Sequence, residues 1–160
     1  MATPLPWLYP YAMESGALRR GREVLRPVVT VSLPGNSGLV EPAWALVDTG
    51  AENVLAADWL ADFAGIDVDQ SEERTLVGIG GHVVEVAFVE VDLVLHAPHD
   101  TSEVISWRTD VGFVPNWQAP FPIVAGQTGF LDQFTVTFHR GAAMLGIEEW
   151  AVFDQRFRTG

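Results

Sequence analysis

The apolar residues of this chain fall mainly in short, strand-like runs separated by turn-forming residues. Residues 26–33 are rich in β-branched side chains and predict the first strand, and a turn of proline, glycine and asparagine type follows at 34–38. The next apolar run, Ala45 to Val47, predicts a second strand that forms a hairpin with the first. These runs favour an all-β fold.

A second hairpin is predicted where residues 74–77 and 82–95 flank a glycine-rich turn. Up to Phe88 the apolar residues of the later strand alternate in one phase, and from Val89 onward they alternate in the opposite phase. The switch indicates either a bulge or a strand that leaves an exposed hairpin to enter the core.

One short amphipathic helix is predicted after the second strand, ended by Gly65. Its apolar face is expected to hold Ala56, Trp59, Leu60 and Phe63, with Asp58 and Asp62 on the other face. Further along, a strand is expected within 104–114, a proline-rich aromatic loop at 115–122, and a closing hairpin from 135–138 and 143–145.

The expected domain organisation is an extended N-terminal arm at 1–25, one domain at 26–147 and a C-terminal tail at 148–160. The arm either lies on its own domain or crosses to a partner chain, and the apolar character of its first part favours the first arrangement. A chain of 160 residues is long enough to bury a core without disulfides, and it contains no cysteine.

The net charge of −12, with nine arginines and no lysine, argues against nucleic acid as a partner. No apolar run approaches the roughly 18 residues that a membrane span needs, and prolines interrupt the apolar stretch near the N-terminus. The expected location is therefore the cytoplasm, with no membrane partner.

The most informative stretch is Asp48-Thr49-Gly50, which directly follows the apolar residues 45–47. A buried strand that ends in a glycine turn would hold the Asp48 carboxylate at the mouth of a cleft. The plain alternative is a strand followed by an ordinary turn, because Asp and Gly are common turn residues.

This motif resembles the active-site signature of the retropepsin-like, or retroviral-type, aspartic proteases. Three later segments fit the same family in order: Gly78–Gly81 resembles the tip of the flap, Ile123–Gly126 the apolar-apolar-Gly element, and Phe130–Phe134 the short helix after it. The resemblance implies a closed β-barrel, the half-lobe of an acid protease, with a flap hairpin and one or two short helices. It implies an aspartic endopeptidase that needs no cofactor and no metal.

The resemblance also assigns a site. Asp48, Thr49 and Gly50 would be catalytic, with Thr49 locking two such loops together. The residues expected to bind a peptide or protein substrate are Ala51, Glu52, Ile79, Gly80, Gly81, Trp117 and Val124. In retroviral members an arginine follows the apolar-apolar-Gly element and pairs with an acid at the position of Glu52. Gln127 stands there in this chain, so that ion pair is missing and the strength of the dimer is in question.

One Asp-Thr-Gly supplies one carboxyl group, whereas hydrolysis by this mechanism uses two. The rival Asp100-Thr101-Ser102 lacks both the glycine and a preceding buried strand, so a homodimer is expected to bring two Asp48 side chains together. Two other hypotheses remain: a dimeric scaffold or binding domain without turnover, and a processing enzyme with one cellular target. His96 and His99 are interpreted as solvated loop residues, because no third metal ligand accompanies them.

Overall fold

The computed structural model describes residues 6–35, 42–69, 71, 73–79 and 81–158, with the backbone alone at 15–19, 73, 76 and 79. Its strands are β1 Trp7–Pro10, β2 Ala12–Arg19, β3 Arg22–Arg26, β4 Val28–Ser32, β5 Ala43–Val47, β6 Val54–Ala57, β7 Glu73–Ile79, β8 His82–His96, β9 Val104–Val114, β10 Ile123–Ala125, β11 Phe134–His139 and β12 Met144–Glu149. Two short helices, α1 Asp58–Ala64 and α2 Trp150–Arg158, and a 3₁₀ turn at Arg140–Ala142 complete it. The predicted all-β class with short helices is confirmed.

Six strands close into a barrel in the order β4-β5-β10-β6-β9-β8, since β8 pairs back onto β4. The β5–β10 and β6–β9 pairs are parallel and the other neighbours are antiparallel. Strand β7 extends this sheet beyond β8 and forms the predicted flap hairpin with it. The closed barrel predicted from the family resemblance is therefore present.

Strand β8 explains the phase switch seen in the sequence. Its pairing with β7 and with β9 continues without a change of register, so the strand contains no bulge there. Val86 and Phe88 face a small apolar cluster outside the barrel, whereas Val91 and Leu93 face the main core. Strand β8 thus passes from the flap into the barrel. One of its faces is buried in the flap half and the opposite face is buried in the barrel half.

The predicted face of helix α1 is wrong. Ala56 belongs to β6, the buried residues of the helix are Leu60, Ala61 and Ala64, and Trp59 and Phe63 are 44% and 68% exposed. The two aromatic rings instead contact each other edge-on, with their centroids 5.8 Å apart. Small alanines let the helix approach the barrel closely, and Gly65 ends it in the left-handed conformation as predicted.

Two C-terminal expectations also change. Residues 130–133 form turns rather than the short helix of the resemblance, and Phe134 already begins β11. The closing hairpin of β11 and β12 is present as predicted, and its second strand continues to Glu149. Helix α2 then occupies much of the segment expected to be a tail. None of the helices in the described ranges is long and apolar enough to cross a membrane.

The first strand of the N-terminal arm, β1, lies on its own domain. Strand β1 pairs with β12 and completes a three-stranded sheet, β1-β12-β11. The Tyr9 side chain is buried, and its hydroxyl donates a hydrogen bond to the His96 carbonyl at 2.6 Å. Beyond β1 the arm forms the hairpin β2–β3, a separate two-stranded sheet that the sequence did not predict.

Candidate active site

The site is built on three short strands. Strand β10 lies between β5 and β6, parallel to β5 and antiparallel to β6, although β5 and β6 are consecutive in the chain. The loop 48–53 must therefore cross the end of β10 to reach β6. Ala45 and Val47 point into the core and anchor the strand that leads into this loop. The backbone at Asp48 is thus fixed by a packed core on one side and by β10 on the other.

Asp48 lies at the start of this loop and is half-buried, while Thr49 and Gly50 are exposed. The Asp48 amide donates to the Ala125 carbonyl at 3.1 Å, and its own carbonyl accepts from the Ala51 amide at 3.2 Å. The Gly50 amide donates to Oδ1 of Asp48 at 2.8 Å. An N–H that points at a carboxylate oxygen orients the side chain. The loop therefore presents a fixed carboxylate next to solvent.

The segment after β10 is hydrogen-bonded to the same loop. Gln127 donates its amide to the Ala51 carbonyl at 2.9 Å and its side-chain Nε2 to the Thr49 carbonyl at 2.7 Å. The Thr128 amide donates to the Glu52 carbonyl at 2.8 Å. A Cβ atom at Gly126 would lie 2.4 Å from the Asn53 carbonyl oxygen, so only glycine permits this close approach.

The predicted loop residues are therefore brought together by two chain segments more than 70 residues apart. Within the loop Ala51 is half-buried and Glu52 is exposed. The glycine of 123–126 is part of the apolar-apolar-Gly element of the resemblance. The contact of Gln127 with Thr49 is not predictable from the sequence, because it depends on the register between distant strands.

An apolar cluster lies outside the barrel, between the flap and the loop 115–122. Its buried members are Leu55, Val86, Phe88 and Val114, and Val77, Val84, Trp117 and Val124 pack on it half-buried. Two residues predicted to bind substrate, Trp117 and Val124, thus meet on one surface. The Trp117 Nε1–H donates to the Phe121 carbonyl at 2.8 Å, which fixes the indole within its loop. The cluster offers half-buried apolar surface close to strand β10.

The flap residues of the predicted site are described in part. Ile79 is the last residue of β7 and is described by its backbone, and Gly80 lies outside the described residues. Gly81 is exposed with φ of +84°, a left-handed conformation that glycine adopts without strain. Gly78, which the sequence placed in the turn, is paired with Val83 in the hairpin.

The rival acidic motif has a different environment. Oδ1 of Asp100 accepts hydrogen bonds from the Ser102 hydroxyl at 2.6 Å and from the Ser102 amide at 2.9 Å, and these bonds lower the pKa of Asp100. The carboxylate therefore closes its own turn after β8. It is not supported by a strand inserted beside it, as Asp48 is.

His96 is not a solvated loop residue as expected. It is the last residue of β8 and half-buried, with Nε2 2.7 Å from the Ser32 hydroxyl and Nδ1 3.2 Å from the Thr101 carbonyl. His99 is exposed, and its ring lies 3.9 Å from the Glu103 carboxylate. No group of three potential metal ligands occurs in the described part of the chain.

Comparison with known proteins gives a family match and a fold likeness for this chain. Residues 29–104, which contain the Asp48 loop and the flap, match the model of a family described as aspartyl protease. The crystal structure of a retropepsin-like aspartic protease from Rickettsia conorii aligns with a TM-score of 0.52 and 15% identity, over 88% of this chain and 87% of that chain. The predicted resemblance to the retropepsin-like aspartic proteases is thus confirmed, by the family match and by the fold.

A structure of EIAV protease complexed with the inhibitor HBY-793 also aligns, at 19% identity and a TM-score of 0.35, over 64% of this chain and 82% of that one. No curated protein matches the chain.

Proposed function

We propose that this protein is an aspartic endopeptidase that acts as a homodimer, with one Asp48 from each protomer. The observation that carries the proposal is the position of Asp48, whose carboxylate is held by the Gly50 amide in an exposed loop. That loop is fixed by β10 and Gln127, as a rigid catalytic group requires. The aspartyl protease family match over this segment supports the same chemistry.

In the proposed reaction, two Asp48 carboxyl groups share one proton and hold a water molecule between them. The ionised carboxylate takes a proton from the water as the water oxygen attacks the peptide carbonyl carbon. The protonated carboxyl donates its proton to the carbonyl oxygen. The C–N bond of the tetrahedral intermediate then breaks, and a proton passes to the leaving nitrogen. Two close carboxylates ionise as a coupled pair, so activity is expected at mildly acidic pH.

The remaining predicted residues receive roles within this proposal. Thr49 links the two loops through its hydroxyl, and Gly50 offers its backbone to the substrate. Ala51 and Glu52 line the cleft, and the flap residues 79–81 close over the bound peptide. Trp117 and Val124 face the substrate from the apolar cluster, which favours hydrophobic side chains on either side of the cleaved bond.

The decisive experiment is digestion of a mixed peptide library, from pH 4 to pH 7, with products identified by mass spectrometry. The wild type is expected to cleave, and Asp48→Asn is expected to lose at least about a thousandfold in kcat/KM, because it removes a group that acts in the transition state. Asp100→Asn is the matched control, since it removes one carboxylate from the rival motif, and it should cleave like the wild type. Equal activity of Asp48→Asn and the wild type would contradict the proposal.

The homodimer is tested by diluting the protein during the assay. Activity per chain should fall once the concentration drops below the dissociation constant of the dimer, because each chain brings one Asp48. Constant activity per chain from a protein that sediments as a monomer would refute the shared site. A dimer that cleaves neither the library nor denatured proteins would favour the scaffold hypothesis.

A further inference from the structure

The hairpin β2–β3 stands apart from the rest of the fold. Within the described residues its strands pair only with each other and with no strand of the barrel. Its turn is formed by Arg20 and Gly21, both with positive φ (+53° and +72°), as in the type I′ turns of two-residue hairpins. Two-stranded hairpins are at best marginally stable alone in water, so a hairpin without a third strand gains stability from any surface that it contacts.

Charge is distributed unevenly between this hairpin and the rest of the chain. Residues 12–26 hold four of the nine arginines and two glutamates, so the hairpin carries +2 and the remainder −14. Arg26 pairs with Glu14 at the base, with Nε and Oε2 2.6 Å apart. At the tip Arg20 and Arg22 are exposed, and neither forms an ion pair with another described residue. The tip of the hairpin is thus basic, whereas the rest of the protein is acidic.

The base of the hairpin lies beside β5, the strand that leads into the Asp48 loop. Pro27 follows β3 directly, and its carbonyl accepts a hydrogen bond from the Val47 amide at 2.9 Å. The five residues of β3 span about 17 Å at roughly 3.3 Å per residue, so the tip can reach well beyond the base. The hairpin therefore starts at the end of the barrel where Asp48 lies, which is the end that the proposed homodimer would bring together.

We infer that the β2–β3 hairpin is a clamp that docks through Arg20 and Arg22 onto the acidic surface of a second copy of this chain. The inference rests on the proposed homodimer and names a part of its interface. The second copy is the favoured occupant because the chain itself supplies the complementary surface, with 19 acidic residues against five arginines outside the hairpin. Two chains of charge −12 repel each other, and two basic hairpins that reach across would offset this repulsion.

The test is the dissociation constant of the full-length dimer, measured by sedimentation velocity at 50 mM and 500 mM NaCl. Arg20→Asn/Arg22→Thr removes both charges and keeps the hairpin, because Asn-Gly is the preferred type I′ pair and Thr favours strands. We expect dimerisation about tenfold weaker at 50 mM NaCl, and a difference that shrinks at 500 mM as salt screens the contacts.

Two control variants separate a local contact from other effects. Glu23→Gln alters the same hairpin without removing an arginine and should not weaken the dimer. Arg74→Ser/Arg108→Ser removes two charges from exposed positions on β7 and β9, together with their ion pairs to Glu85, Glu90 and Asp92 of the same chain. It reports the cost of added net charge and of lost exposed ion pairs away from the hairpin. The clamp requires that Arg20→Asn/Arg22→Thr weaken the dimer more than this second control does.

The outcomes distinguish the clamp from the proposed function. A dimer that is unchanged in Arg20→Asn/Arg22→Thr overturns the clamp, and Asp48-dependent cleavage by that dimer would still support the endopeptidase. A salt-sensitive, arginine-dependent dimer without peptide cleavage supports the clamp and counts against the endopeptidase. A wild type that is monomeric at all concentrations overturns the clamp and the shared site together.

Discussion

The side chain of Gln127 is hydrogen-bonded to the backbone of the Asp48 loop, with its Nε2 2.7 Å from the Thr49 carbonyl oxygen. The two residues are 78 positions apart in the chain. In the retroviral proteases that this chain resembles, an arginine at this position pairs with an acid. Here a neutral amide supports the loop from within the same chain, so the loop can be ordered without an ion pair.

Replacing Gln127 should therefore loosen the Asp48 loop. Gln127→Ala removes one side-chain hydrogen bond and should cost about 0.5–1.5 kcal/mol in the free energy of unfolding. Gln127→Glu should be more harmful for activity, because a carboxylate of the same shape faces the Thr49 carbonyl with no proton to donate. Urea denaturation and kcat/KM measure the two effects. Gln133→Ala, which removes another exposed glutamine side chain, serves as the control, and equal losses in both would argue against a specific role for Gln127.

Gly126 should tolerate no side chain. The Cβ of Gly126→Ala would lie 2.4 Å from the carbonyl oxygen of Asn53 and 2.7 Å from that of Ala51, and neither backbone atom can move without displacing the Asp48 loop. We expect a loss of about 2–4 kcal/mol in the free energy of unfolding, the range of severe packing clashes.

Gly141→Ala is the matched control for Gly126→Ala. Its Cβ would lie at an ordinary van der Waals distance, 3.7 Å from the nearest His139 side-chain atom. Thermal unfolding of the two variants should differ by several degrees, with Gly126→Ala the less stable. Similar melting temperatures would show that the loop relaxes easily around residue 126.

Much of this architecture follows from local pattern. The apolar residues before Asp48 and the glycine after it predicted the loop. The phase change at Phe88 left two interpretations open, and the structure has the strand shared by the flap and the core rather than the bulge. The β2–β3 hairpin was missed because Arg20-Gly21 is a weak turn signal between charged residues. The Gln127 contact was missed because it depends on β10 lying between β5 and β6, which no local pattern specifies.

Helix α1 shows where the pattern misled. Size and hydrophobicity suggested that Trp59 and Phe63 face the core, yet close packing on the barrel selects the small Ala61 and Ala64. Leu60→Ala should therefore cost about 2–4 kcal/mol in the free energy of unfolding, because it leaves a cavity at a side chain that is 3% exposed. Trp59→Ala should cost less than about 1 kcal/mol, since the indole is 44% exposed. A larger loss for Trp59→Ala than for Leu60→Ala in chemical denaturation would support the helix face predicted from the sequence.

The stabilisation that Tyr9 of strand β1 contributes to the fold depends on pH. Its hydroxyl donates to the His96 carbonyl at 2.6 Å, and burial raises the pKa of Tyr9 well above its usual value. A group whose pKa is raised by folding contributes its stabilisation fully below the pKa of the unfolded chain, near 10 for tyrosine, and loses it as the pH rises further. Tyr9→Phe should be about 1 kcal/mol less stable than the wild type at pH 7.

The same comparison at alkaline pH checks the cause. Above pH 10 the unfolded phenol ionises and the buried one does not, so the wild type loses roughly 1.4 kcal/mol per pH unit and Tyr9→Phe lacks this loss. The advantage of the wild type should vanish near pH 11. Tyr11→Phe, at the neighbouring half-buried tyrosine, is the control for removal of a phenol hydroxyl elsewhere in the arm. A difference between Tyr9→Phe and the wild type that stays constant from pH 7 to pH 11 would mean that Tyr9 ionises as freely in the folded protein as in the unfolded chain.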